Sequence, residues 1–256
     1  MPRSRMDFPA HRVCLWSGPR NVSTALMYSF RQRRDTRVVD EPLYGHYLRV
    51  TGAPHPAPEA VLAALDTDGE RVVREVVLGP CDRPVLFMKH MAHHLIDLDL
   101  GFLDETVNVL LIRDPRDMLP SLAKQLPEPT LRDTGLARQV ALLDDLLARG
   151  QDPPVLDARE LLLDPPGVLR QLCRRIGLPF DEAMLRWPAG PKPEDGVWAP
   201  YWYESVHRST GWQPYRPKTA PLSEHLRPLL EACRPYYERL YARALRRTTE
   251  EEQRSA

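Results

Sequence analysis

The chain has 256 residues, of which 43% are hydrophobic and 27% charged, and its 35 basic and 35 acidic residues leave a formal net charge of zero. That length accommodates one large α/β domain or two small ones. Without a basic surplus, wholesale nucleic-acid binding is not expected, and any positive potential must be local.

Val13 to Trp16 is a short apolar run closed by a Ser-Gly-Pro turn, the pattern of a buried strand. Ser23 to Arg33 reads as a helix with Ala25, Leu26 and Phe30 on its apolar face. A strand that turns abruptly into a helix presents free backbone N–H groups and the positive end of the helix dipole, which together form an anion site. Arg20 adds a fixed charge to that turn, and Ser23 and Thr24 add hydroxyl donors.

Thr36 to Asp40 is a second short strand, ending in Asp40, Glu41 and a proline. Leu43 to Val50 is aromatic and polar, the composition of a segment that lines something. Residues 52–58 form a Pro/His/Gly linker, and Pro58 to Leu65 is a short helix with proline at its start. Glu70 to Leu78 suits helix or strand, with helix preferred. Pro84 to Met88 is a third strand, running into Lys89-His-Met-Ala-His-His94.

Val107 to Ile112 is the clearest strand, rich in β-branched residues and nearly all apolar. It leads into Arg113-Asp-Pro-Arg-Asp117, where Asp114 can cap a helix and Pro115 takes the first helical position. Thr134 to Arg149 is a helix on the spacing of Leu136, Val140, Leu143 and Leu147, closed by Gly150. Val155 to Asp157 is a fifth strand. Asp164-Pro-Pro opens a helix carrying Val168, Leu169, Leu172 and Ile176, ended by Gly177.

Residues 187–217 are aromatic and aperiodic, so they are expected to pack over a site. Ser223 is expected to cap a last long helix, with Pro228 in its first turns and a kink at Pro235. A Glu-rich tail from Thr248 reads as disordered, leaving residues 1–247 as one domain and 248–256 outside it. The 27 prolines fall mostly between the periodic segments, as loop stiffeners. Cys14, Cys81, Cys173 and Cys233 show no paired spacing, which fits a reducing, cytoplasmic setting. No signal peptide or membrane span is expected from the short apolar runs.

Strands alternating with helices predict a three-layer α/β sandwich around a central, mostly parallel, five-stranded sheet. In such sheets ligands bind beyond the carboxyl ends of the strands. Arg20, Glu41, Lys89, His90 and Arg113 all follow predicted strands and therefore converge on one edge.

Against the ATP-loop pattern G-x-x-x-x-G-K-[ST], residues 17–24 give Ser-x-x-x-x-Val-Ser-Thr. The loop length is kept, but Ser23 replaces the lysine that reaches the β- and γ-phosphates. Pro19-Arg20-Asn21-Val22-Ser23-Thr24 resembles the 5′-phosphosulfate loop of sulfotransferases, with Val22 where many members have glycine. Arg113-Asp-Pro-Arg-Asp117, with Ser121 eight residues after Arg113, resembles the motif by which these enzymes hold the 3′-phosphate of their donor. Asp-Glu-Pro-Leu-Tyr and Lys-His-Met-Ala are similar to segments of a bacterial and plant subgroup described as branched-chain-aminotransferase-like.

The resemblance implies a P-loop-like sulfotransferase fold and 3′-phosphoadenosine-5′-phosphosulfate (PAPS) as sulfate donor. The product would be adenosine 3′,5′-bisphosphate (PAP), with no metal required. Arg20, Asn21, Val22, Ser23 and Thr24 would bind the 5′ side, and Arg113 and Ser121 the 3′-phosphate. Arg208, Ser209 and Gly211 would belong to a segment closing over it. Glu41 is the preferred base for a small hydroxyl- or amine-bearing acceptor, His90 is the other candidate, and Lys89 would bind or polarise the transferring group. A homodimer is compatible with this reading, and neither nucleic acid nor membrane is expected as a partner.

His90, His93 and His94 lack Cys or acidic partners at metal-site spacing, so structural or surface histidines are the expectation. Two other readings stay open: a P-loop small-molecule kinase, and a nucleotide-binding protein of sulfotransferase fold without turnover.

Overall fold

The computed structural model describes residues 10–218 and 221–247. The expected tail, residues 248–256, lies outside them. Strand β1 (His11–Ser17) leads into α1 (Ser23–Arg31), β2 (Thr36–Asp40), α2 (Tyr44–Thr51) and α3 (Pro58–Ala64). Helix α4 (Gly69–Val72) continues into one π-helical turn, Val73–Val77, before β3 (Val85–Met91). Strand β4 (Val107–Ile112) is followed by α5 (Pro115–Leu122), α6 (Leu131–Thr134) and α7 (Leu136–Ala148). The chain then forms β5 (Val155–Asp157), α8 (Ala158–Leu163), α9 (Pro165–Arg175), α10 (Ala199–Trp202), α11 (Glu204–His207), α12 (Arg227–Tyr241) and β6 (Ala244–Leu245).

The sheet order is β2-β3-β1-β4-β5-β6 and every pairing is parallel. It has six strands where five were expected, because Ala244–Leu245 pairs with β5 and two residues carry no readable period. The chain runs outward to β2, returns to β3 and then crosses β1 to reach β4. Order therefore reverses at β1, and the loop after β1 opens into the crevice where such sheets take ligands.

The sheet is buried on both faces, as a parallel sheet must be. One face packs Val13, Leu15, Phe87, Val109, Leu111 and Leu156 against Leu26, Met27 and Phe30 of α1 and against α8 and α9. The other packs Cys14, Trp16, Leu86, Met88 and Leu110 against the segment 72–77 and helices α7 and α12. Burial pushes the Cys14 thiol up to about 12, so it behaves as a small apolar side chain.

The sequence left the conformation of residues 43–50 open and expected Ser223 as a cap. Tyr44–Thr51 is a helix in spite of Gly45, because a Cβ at Gly45 would stand 2.8 Å from Leu65 Cβ and 2.9 Å from the Asp66 carbonyl. That close packing compensates glycine's poor helix propensity. Ser223 makes no side-chain capping bond. A 3₁₀ turn, Glu224–Leu226, leads into α12, whose first turn takes Pro228 where no N–H is needed.

One buried polar side chain ties β4 to its surroundings. Asn108 accepts the Trp16 indole N–H at 2.8 Å and donates to the Leu103 and Thr106 carbonyls and to Gln151. Asn108→Leu leaves the indole N–H without its acceptor and takes a donor from the Thr106 carbonyl and from Gln151, while the Leu103 carbonyl keeps Gln151 Nε2. It is expected to lower unfolding free energy by about 2–4 kcal/mol in urea titrations, and a loss under about 0.5 kcal/mol would contradict this reading.

Candidate active site

A cavity of about 1130 Å³ opens at the carboxyl edge of the sheet. Pockets for single drug-sized ligands usually span about 300–1,000 Å³, so this one has room for two small molecules side by side. Six basic side chains (Arg20, Lys89, Arg113, Arg132, Arg216 and Lys218) line it against two acidic ones, Glu41 and Asp133. The neutral chain thus concentrates positive potential here.

The loop after β1 builds one end. Gly18 is needed by close approach, since a Cβ there would lie 2.6 Å from the Thr134 carbonyl oxygen. Arg20 takes φ +57°, a left-handed conformation rare for residues other than glycine and costing of order 1–3 kcal/mol. Its carbonyl accepts from Arg113 Nη1 at 2.8 Å, and its Nε donates to Ser121 Oγ at 3.0 Å. The two separated sequence motifs therefore meet in one cluster. Asn21 pins the loop to β4 by donating to the Leu111 carbonyl at 2.9 Å. The amino end of α1 follows Val22 with no side-chain cap, and Val22, Ser23 and Thr24 face the cavity. Neither Arg20 nor Arg113 has an ion-pair partner among the described residues. Burial and the neighbouring Arg113 charge both lower the Arg20 pKa. Two uncompensated guanidiniums beside an uncapped helix end fit an anionic ligand.

The second centre is Lys89, 2% exposed in its side chain. It donates to Asp40 Oδ1 at 2.8 Å, Glu41 Oε1 at 2.6 Å and the Tyr203 hydroxyl at 2.6 Å. Tyr203 in turn donates to Asp40 Oδ2 at 2.7 Å and accepts from Trp198 Nε1 at 3.0 Å. Burial opposes the Lys89 charge, but Asp40 and Glu41 outweigh it and hold the pKa well above the usual lysine value. Glu41 is raised, chiefly by burial, with Lys89 opposing and Asp40 reinforcing the rise. Its φ of +44° is the second left-handed site residue. Since all three Lys89 protons are committed to protein oxygens, its geometry is that of a group positioning Glu41.

His90 is not brought to the cavity. The expectation placed Lys89 and His90 after the third strand, but both lie within β3, where successive side chains point to opposite faces. Lys89 stands beside Asp40 in register, whereas His90 is fully buried and stacked on Trp16, with ring centroids 4.3 Å apart. Among the described residues neither of its ring nitrogens has a partner, and burial followed by the Lys89 charge lowers its pKa to about 3. Arg208 is likewise outside. Its side chain is 73% exposed and pairs with Glu204. Ser209 and Gly211 do line the cavity, with Ser209 accepting the Trp187 indole N–H at 3.0 Å.

Sequence reasoning missed Asp40 and Tyr203 as partners of Lys89, and Arg132, Arg216 and Lys218 as cavity cations. The doublet Arg216-Pro-Lys218 was the available signal, a second basic step ten residues beyond Arg208. Lys218 donates to the Asp117 carbonyl, and burial and the Arg113 charge lower its pKa. Among the described residues no group of three His, Cys, Asp or Glu side chains is placed to hold a metal ion. No helix of the described residues is long and apolar enough to cross a membrane.

A family model described as a sulfotransferase domain matches residues 11–244. The chain belongs to this sulfotransferase family. Over 226 residues it is 43% identical to the branched-chain-amino-acid aminotransferase-like protein 2 of Arabidopsis thaliana, and over 225 residues 44% identical to protein 1 of the same name. Each match covers 87% of this chain but only 40% of the relative, so the chain spans less than half the length of these curated relatives. Their names refer to aminotransferases, whereas the matched family is that of sulfotransferases. Among solved structures, a sulfotransferase from Alicyclobacillus acidocaldarius shares the fold at TM-score 0.54 and 14% identity, covering 94% of this chain and 98% of that one. The sulfotransferase domain from the curacin biosynthetic pathway does so at 0.51 and 15%, covering 91% and 98%.

The location of His90 gives a test. A histidine buried neutral has its folded pKa depressed, so it costs no stability above its unfolded value near 6.5 and destabilises progressively as pH falls below it. His90→Phe keeps the stack on Trp16 and is expected to flatten the decline in melting temperature between pH 6.5 and 4 while retaining turnover. A variant without turnover but with wild-type acid sensitivity would return His90 to candidacy as base.

Proposed function

We propose that this sulfotransferase moves the sulfuryl group of PAPS to a hydroxyl of a small acceptor. The observation that carries the reading is the Arg20–Ser121–Arg113 cluster beside the uncapped amino end of α1. It joins the loop that resembles a 5′-phosphosulfate cradle to the motif that resembles a 3′-phosphate grip. The donor, when bound, supplies a sulfuryl group on a phosphate leaving group. Arg20, Ser23, Thr24 and the first N–H groups of α1 then neutralise charge growing on the departing phosphate oxygens. Arg113 and Ser121, with Arg216 and Lys218 of the same cavity, serve the 3′-phosphate.

Glu41 is positioned to take the acceptor's proton. Its Oε1 is anchored on Lys89 and its raised pKa makes it a stronger base than an ordinary glutamate. The acceptor oxygen bonds to sulfur as the bond from sulfur to the bridging phosphate oxygen breaks, and PAP leaves with that electron pair. Positioning and electrostatics dominate such an in-line displacement. The kinase reading is less favoured, because Ser23 stands where the loop would need its lysine.

PAP is expected to raise the melting temperature through linkage, and no shift at millimolar PAP would remove the donor assignment. Arg113→Ala should weaken PAP by about 10- to 100-fold while affecting adenosine 5′-monophosphate much less, as read by calorimetry. Equal losses would contradict its role at the 3′-phosphate.

Glu41→Gln is expected to lower kcat by about 10²- to 10⁴-fold with donor affinity retained. The active, ionised form of Glu41 exists only above its raised pKa. The wild-type rate should therefore fall, as pH is lowered, at a higher pH than the ordinary glutamate value of 4.5. An acid limb at or below 4.5 would argue for another base.

A further inference from the structure

The acceptor half of the cavity carries a charge that sulfuryl transfer itself does not use. Beyond Glu41 its walls are Tyr44, Tyr47, His55, His94, Trp198 and Trp202. Tyr44 stacks on His94 at 4.8 Å, and Tyr47 stacks on His94 at 4.7 Å. The result is a box of flat apolar faces with a carboxylate at its inner end.

Arg132 stands on the rim of this box. It lines the cavity and is exposed, and its guanidinium has no hydrogen-bond or ion-pair partner among the described residues. The adjacent Asp133 does not neutralise it by contact, because its Oδ2 caps α6, accepting from the Thr130 N–H at 2.8 Å and the Thr130 hydroxyl at 2.7 Å. Geometry sets the end of α6 against the acceptor wall: a Cβ at Gly135 would lie 3.9 Å from His93 Nδ1, and His93 meets Tyr47 edge-on with ring centroids 5.0 Å apart. The charges of Asp133 and Arg132 are both felt by His93 and by Tyr47. His93 lines the same wall, and its Nδ1 is buried without a partner among the described residues.

Histidine cannot supply the positive charge in its place. Burial keeps His93 and His94 neutral, with His93 at about 4 and His94 well below the usual value. Among the described residues Arg132 is therefore the exposed, unpartnered cation beside these aromatic walls, in the same cavity as Glu41.

We infer that the acceptor is an aromatic hydroxy acid, its hydroxyl at Glu41, its ring between the aromatic walls and its carboxylate on Arg132. This rests on the PAPS-dependent reading of the same site and names the acceptor that reading leaves open. A guanidinium matches a carboxylate with two parallel N–H donors, which a neutral end group cannot reproduce.

The test uses a matched pair of probes, 3-(4-hydroxyphenyl)propanoate and the neutral 4-propylphenol, titrated into the protein saturated with PAP. The acid is expected to bind about 10-fold or more tightly than the phenol, and sulfated product from PAPS should show the same preference in kcat/KM. In Arg132→Gln the ratio should fall to about one, and in Arg132→Glu it should invert. Arg132 is exposed, and a PAP titration of each variant confirms an intact donor site. Equal binding of the two probes to wild type, or a ratio unchanged in Arg132→Gln, overturns the inference while PAP binding leaves the donor reading standing. If PAP itself fails to bind at millimolar concentration, the donor reading falls and this one with it.

Discussion

A single buried ammonium organises one end of the cavity. Lys89 lies on β3, between β2 and β1, loses its water on folding, and is tolerated only because Asp40, Glu41 and Tyr203 take all three of its protons. Each partner comes from a different part of the chain: the end of β2, the loop after it, and the aromatic segment that covers the cavity. The desolvation cost of one charge thus fixes the relative placement of three elements. It also leaves two carboxylates sharing one cation, and Glu41, the one facing the cavity, carries the raised affinity for a proton.

The donor end is arranged on the opposite principle. Lys89 is satisfied within the protein, whereas Arg20 and Arg113 lie close together with no carboxylate between them. Such an arrangement is stable only because the loop is held by other means, through Asn21 on the Leu111 carbonyl and the Arg20 carbonyl on Arg113. The chain as a whole is neutral, so the cavity's positive character comes from placement and not from composition.

The fold class and the meeting of the Arg20 loop with the Arg113 motif were legible in the sequence because their signals are local. An apolar run, a turn and a helix start within fifteen residues define the β1–α1 cradle, and Asp114 and Pro115 announce α5 in the same way, with Asp114 accepting from the Arg116 N–H as its capping role requires. Glu41, which reaches the cavity, was also legible as a carboxylate after a strand. What failed depended on where β3 ends. Its extension from the expected Met88 to Met91 put Lys89 and His90 on opposite faces, so adjacent letters became a buried ammonium held by two carboxylates and a core ring. Tyr203 and Arg132 carried no local pattern, since their surroundings exist only once distant segments are packed together. The choice between Arg208 and Lys218 could not be made from composition, because both lie in the same aperiodic stretch.

The left-handed backbone at Arg20 and Glu41 has a consequence for how this protein can change. Glycine relieves a positive φ at no steric cost, so at both positions it would ease the backbone while deleting the side chain the site is built on. Selection for thermal robustness and selection for turnover therefore pull these two positions in opposite directions. A lineage released from whatever these side chains do in the cavity would be free to relax them, and glycine at either place in a relative of this fold would mark a cavity put to another use.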